Sequence, residues 1–206
     1  MTFMGKLTSL FPTIHAFLVI LCFVLFVVSP SLFSFTLIPT MIYGIPIALF
    51  KIHERTYKIE PGIYDLEAPE YCPWWGAYNI QQLFNAFPAL EALLLLYPPA
   101  YSAWLRLWGS KIGKNVYFTP KMTILDRSML NIGDNVTFGY DSKLTCHVIT
   151  RKKGGTSLLL APITVENGCL IGALTKLGPG CHIKEGVVVG YGREVWLNEV
   201  VHESDK

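Results

Sequence analysis

Charge is what this sequence has least of. Of its 206 residues only 16% are Asp, Glu, Lys or Arg, against 51% that are hydrophobic, and from Leu7 to Phe50 not one charged side chain of these types occurs. A soluble domain of this length does not hide that much apolar surface, so part of the chain is expected to meet lipid. The net charge is +2 with no long basic run, which removes nucleic acid from the expected partners. The five cysteines, Cys22, Cys72, Cys146, Cys169 and Cys181, form no close pair and no CxxC unit, so they offer no zinc or redox motif. They read as small apolar side chains in a reducing compartment. The length holds one modest domain with a few accessory helices.

The uncharged stretch breaks at Ser29, Pro30 and Ser31 into Pro12 to Val28 and Leu32 to Phe50, each near the lower length limit for a membrane span. A tight transmembrane hairpin over residues 1–58 follows. Pro39, Gly44 and Pro46 predict a kinked or re-entrant second helix. A cleaved signal peptide is the alternative, and the second apolar segment argues against it. Lys6 precedes the hairpin and Lys51, Arg55 and Lys58 follow it, while its turn carries no cation. The positive-inside bias then places both termini on the cytoplasmic side of a cell (inner) membrane. His15, in what reads as the first helical turn, is expected at the interface.

Residues 59–111 read as a connector. Trp74, Trp75, Tyr78, Phe84 and Phe87 recur at near-helical spacing, Leu90 to Leu96 is too short to span, and Trp104, Leu105, Leu107 and Trp108 make an amphipathic stretch. Interfacial helices resting on headgroups are expected, with a capping subdomain as the alternative.

From Ile112 the pattern changes to a period of six, which fits neither helix nor simple strand. Apolar residues stand at Ile112, Phe118 and Ile124, at Ile132, Phe138 and Leu144, then at Val165, Ile171, Leu177, Ile183 and Val189. Small or aliphatic residues follow four places later, from Val116 and Met122 to Val148, Cys181 and Val187. This is the mark of a solenoid of parallel strands, a left-handed β-helix over 112–192, with 193–206 as a tail. The phase slips at Leu130 and Asn131 and again between Val148 and Val165, where Thr150 to Ala161 is expected to leave the core as a loop.

These residues resemble the hexapeptide-repeat acyltransferases. More narrowly, the chain is similar to the membrane-embedded versions found as the C-terminal part of poly-lysine synthetase-like nonribosomal peptide synthetases. The resemblance runs from Trp74 to Tyr191 and is carried by the hexads, the lead-in Leu105 to Gly113, Asp126, Asn131-Ile132-Gly133-Asp134 and His147. It implies a homotrimer, acyl-CoA (acetyl-CoA above all) as donor in a cleft between neighbouring β-helices, a histidine as general base, and a hydroxyl or amine of a small or membrane-associated acceptor. The chain lacks the N-terminal domain of the soluble sugar and antibiotic acetyltransferases and the tryptophan near their histidine, so their acceptors do not transfer.

His147 is the expected base. It occupies neither inward place of its hexad, stands just before the insertion, and carries a group whose ordinary pKa of about 6.5 suits proton acceptance near neutrality. Asp126 is expected to orient an imidazole on a neighbouring chain, with a surface ion pair to Arg127 as the plainer alternative. Arg151, Lys152 and Lys153, on the glycine-flanked insertion, suit the phosphates of coenzyme A, anionic headgroups or plain solvation. A backbone N–H of Gly172-Ala173 is the expected oxyanion donor, with Gly190 nearby on the donor path. No metal is expected, because His147, His182 and His202 are too far apart in sequence for a carbonic anhydrase-like ligand set. A noncatalytic trimeric scaffold supporting a partner synthetase is the competing reading.

Overall fold

A computed structural model describes residues 2–152 and 155–203. The chain divides into two compact units, one of residues 1–59 and 68–86, the other of residues 60–67 and 87–206. The connector expected at 59–111 is therefore split between them.

The first unit is built of helices, and from Leu7 to Phe50 it carries no Asp, Glu, Lys or Arg. Helix α1 spans Phe3–Val28, starting where Thr2 Oγ1 accepts the Gly5 N–H at 3.0 Å. Helix α2 (Leu32–Pro39) opens with a reciprocal Ser31–Ser34 capping box, passes through a π turn (Thr40–Gly44) and continues as α3 (Ile45–Thr56). Around Pro39, Gly44 and Pro46, where a kinked or re-entrant helix is expected, the helix carries one widened turn. In that turn the Ile45 N–H reaches the Thr40 carbonyl, and the next donor would be Pro46, which has none. The Met41 carbonyl is satisfied instead by His15 Nε2 at 2.9 Å. His15 lies well inside α1 and is 1% exposed, not in a first turn, because the helix begins nine residues before Pro12. Helix α4 (Pro73–Ala86) closes this unit, with Trp75 Nε1 donating to Ser9 Oγ at 2.9 Å. Both segments, Phe3–Val28 and Leu32–Thr56, are long and apolar enough to cross a membrane.

In the second unit, α5 (Ala89–Leu95) and α6 (Pro98–Trp108) precede a three-faced stack of short parallel strands. Trp104 and Trp108 are 5% and 0% exposed, and Trp74 of the other unit is 4% exposed, so these indoles fill protein interiors and are not laid out as an interfacial belt. The first face of the stack holds Lys111–Ile112, Leu130–Ile132, Ile163–Val165, His182–Ile183 and Val200–Val201. The second holds Tyr117–Phe118, Thr137–Phe138, Leu170–Ile171 and Val188–Val189, and the third Thr123–Ile124, Lys143–Leu144, Lys176–Leu177 and Glu194–Val195. Every period-six residue from Ile112 to Val189 points inward and is buried, and Phe118 stacks on Phe138 at 5.3 Å. The corners turn through left-handed residues, Asn115, Asn135, Gly168 and Gly186 in one column, types that adopt positive φ most readily.

Two boundaries differ from expectation. The stack runs past 192, because Val195 and Val201 continue the six-residue register and are 2% and 0% exposed. The insertion is no loop: His147–Lys152 and Gly155–Leu160 form an antiparallel hairpin, extended by Gly62–Asp65 into a three-stranded sheet. Alternating apolar residues Leu158 and Leu160 bury one side of it, which explains why it holds together outside the stack. Val148, expected at an inward corner, has left with the hairpin and is 36% exposed.

Candidate active site

The corner between the third and first faces carries both breaks in the repeat. In the first coil the break inserts the turn around Asp126, and in the second it launches the hairpin at His147. A ladder bond from Leu125 N–H to the Leu144 carbonyl sets one above the other. Asp126 is 3% exposed, and its Oδ2 lies 2.9 Å from the Cys146 amide N–H and 2.7 Å from His147 Nδ1. A carboxylate oxygen accepts, so Nδ1 carries the proton and the ring's lone pair is at Nε2. The His147 side chain is 13% exposed, enough to be reached from solvent. Asp126 therefore orients the imidazole of its own chain, not of a neighbour, because the phase break folds its carboxylate under the corner. Nor do Asp126 and Arg127 form a surface ion pair: Arg127 is 1% exposed and its partner is Glu91 of α5.

Cys146, beside the histidine, is a fully buried thiol. Burial pushes its thiol well above the ordinary range, reinforced by the Asp126 carboxylate. Burial likewise drives Cys181 up to about 12. Iodoacetamide at pH 8 is expected to leave both thiols of the native protein unmodified and to label them after denaturation. Mass spectrometry of tryptic peptides checks this, and rapid native labelling of Cys146 would show that the corner is open.

Arg151 stands four residues along the strand from His147, on the same side of the hairpin by the two-residue alternation and about 13 Å away by strand rise. The side chain of Lys152 and the whole of Lys153 lie outside what the structure describes. The carboxylate of Glu67 sits at this end of the hairpin, accepting from Thr156 Oγ1 at 2.9 Å.

Gly172, Ala173 and Gly190 come together with each other, but at the corner between the second and third faces, away from His147 of the same chain. The Gly172 N–H is donated to the Val189 carbonyl at 2.8 Å, part of the ladder that stacks the coils. The spacing of a six-residue repeat shows which residues face outward but not which corner they share.

His182 lies on the first face against Glu166, 2.6 Å away, with Lys184 Nζ at 3.0 Å. Hydrogen bonds from Lys184 first, then His182, hold the Glu166 carboxyl down at about 2 from the ordinary 4.5. A depressed carboxyl contributes stability above its unfolded pKa and loses it as pH falls through the folded one. The melting-temperature gap between wild type and Glu166→Gln is therefore expected to be constant above about pH 4.5 and to close toward pH 2. A gap independent of pH would refute that account. Among the described residues no group of three His, Cys, Asp or Glu side chains is placed to hold a metal.

Hollows indent the second unit. One of about 510 Å³ lies between α6 and the first coil, against Pro98, Ser102, Arg106 and Tyr117. Another, about 310 Å³, lies on the first face near Lys111, Asn131 and Glu166. Neither is lined by His147.

No family model matches the chain. It is 33% identical over 102 residues to galactoside O-acetyltransferase of Escherichia coli K12, a match covering 46% of this chain and 47% of that protein, so the chain spans about half the length of this curated relative. A hexapeptide-repeat acetyltransferase of Vibrio cholerae aligns with a TM-score of 0.40 at 16% identity, over 57% of this chain and 83% of that one. A maltose O-acetyltransferase of Clostridium difficile 630 gives 0.39 at 19% identity, over 56% and 76%.

Proposed function

We propose that the chain is a membrane-anchored acyltransferase that moves an acyl group, acetyl above all, from acyl-CoA to a hydroxyl or amine. The observation that carries this reading is the corner in which buried Asp126 fixes His147 with its proton on Nδ1. Nε2 then takes the acceptor's proton as its oxygen or nitrogen attacks the thioester carbonyl. As the tetrahedral intermediate collapses, the C–S bond breaks and the imidazolium returns the proton to the departing thiolate. The likeness to galactoside O-acetyltransferase over 102 residues supports the donor class.

Arg151, on the same side of the hairpin as His147, is the cation we assign to the donor's phosphates. The active form is a homotrimer, supported by the outward apolar residues of the second face, Tyr117, Leu170 and Val188, which are 51%, 44% and 44% exposed. The coils wind left-handed, and the helices Phe3–Val28 and Leu32–Thr56 span the membrane with both ends on the cytoplasmic side. The narrower likeness to poly-lysine synthetase domains rests on the lead-in Leu105 to Gly113 before the β-helix. Calorimetry in mild detergent tests the reading. Acetyl-CoA is expected to bind with micromolar affinity, and Arg151→Gln to weaken binding about 5- to 20-fold at low salt and less at high salt. Absence of any binding would overturn the enzyme in favour of a noncatalytic scaffold.

A further inference from the structure

The residue after Asp126 is one of the largest side chains fully buried in the chain. Arg127 Nε donates to Glu91 Oε1 at 2.9 Å, and its Nη2 reaches the same oxygen. The other Glu91 oxygen accepts from the Tyr101 hydroxyl at 2.8 Å, and the guanidinium lies over the Trp104 ring at 5.8 Å. Burial, then the Glu91 charge, pushes Tyr101 well above the ordinary phenol range, so it remains a donor. The backbone of the same turn is clamped as well. Ser110 Oγ donates to the Arg127 carbonyl at 2.8 Å and accepts the Leu130 N–H at 2.9 Å, while Met129 N–H closes on the Asp126 carbonyl at 3.2 Å.

A buried ion pair is a poor device for stability, since desolvation offsets its attraction and apolar replacements of similar volume are often neutral or better. What it supplies is direction, because a guanidinium fork accepts only a narrow set of partner geometries. Here the direction is imposed on the turn that breaks the repeat and carries Asp126.

We infer that Glu91, Arg127 and Tyr101 are positioning residues for acyl transfer: anchored in α5 and α6, they fix the 126–130 turn so that the Asp126 carboxylate meets His147. The inference rests on the proposed role of His147. None of the three touches substrate.

The test uses the full chain in detergent and two variants. Glu91→Leu with Arg127→Met removes both charges together and leaves no unpaired ion, and Tyr101→Phe removes one hydrogen bond with little change of volume. Each is read by kcat, by KM for acetyl-CoA, and by the NMR resonance of the His147 Nδ1 proton, which needs no turnover. The double variant is expected to lower kcat about 10- to 100-fold with KM within about 2-fold, and to broaden or remove the Nδ1 proton signal. Tyr101→Phe is expected to lower kcat about 5-fold and to weaken the same signal. Wild-type kcat and an unchanged His147 signal in Tyr101→Phe, and in the double variant wherever it folds, would reduce the network to plain packing. If the wild-type chain transfers no acyl group, the proposed function falls, while the His147 signal still decides the positioning.

Discussion

His147→Ala is expected to lower kcat for acyl transfer by about 100- to 10,000-fold, the range for loss of a positioned proton acceptor. That corresponds to about 3–5 kcal/mol of transition-state stabilisation. KM for acyl-CoA should change little, because the imidazole acts on the acceptor's proton and not on the donor's phosphates. The substitution is not neutral for folding. The ring is only 13% exposed and supplies one of the Asp126 hydrogen bonds, so about 1–3 kcal/mol of stability is expected to go with it. His147→Gln, which keeps a donor within reach of the carboxylate, separates the two effects: stability largely returns and turnover does not. Steady-state kinetics together with thermal melts decide this, and full turnover in His147→Ala would remove the base from the mechanism.

Asp126→Asn is expected to cost nearly as much turnover, about 100- to 10,000-fold, with the fold retained because the side chains are isosteric. The carboxylate Oδ2 accepts two donors, the Cys146 amide and His147 Nδ1. An asparagine with its oxygen in the Oδ2 place keeps both bonds but has no charge to stabilise the imidazolium that forms; with its NH₂ group in that place it faces Nδ1 instead. That interaction selects the tautomer with the proton on Nε2, where the base must be empty. Nitrogen-15 chemical shifts of the His147 ring read the tautomer directly. A variant with the wild-type tautomer and wild-type kcat would show that Asp126 only ties down the corner.

Much of this site was legible in one dimension. The six-residue register marks Ile112 to Val189 as inward positions, and it marks by exception the two places where the chain cannot stay in the stack. Asp126 stands beside one exception and His147 beside the other, which is why the register singles out both. Glu91 was missed, although it is the lone charge in the apolar run Leu90 to Leu96, a signal that a carboxylate there has a buried partner. Gly172, Ala173 and Gly190 were grouped with the histidine because glycine at a corner looks the same at every corner. Only the winding of the coils separates them.

Periodicity is a local property: each hexad contributes one buried side chain whatever the rest of the chain does, so the parallel coils and the uncharged helical segments follow from the sequence alone. The tertiary structure decided what depends on coil-to-coil registry. Stacking set Leu125 over Thr145 and so brought a carboxylate within 2.7 Å of a histidine 21 positions later, inside one chain and not between two. It also drew the 62–65 strand onto the hairpin and Arg127 onto Glu91, contacts between segments with no common period, which spacing cannot encode.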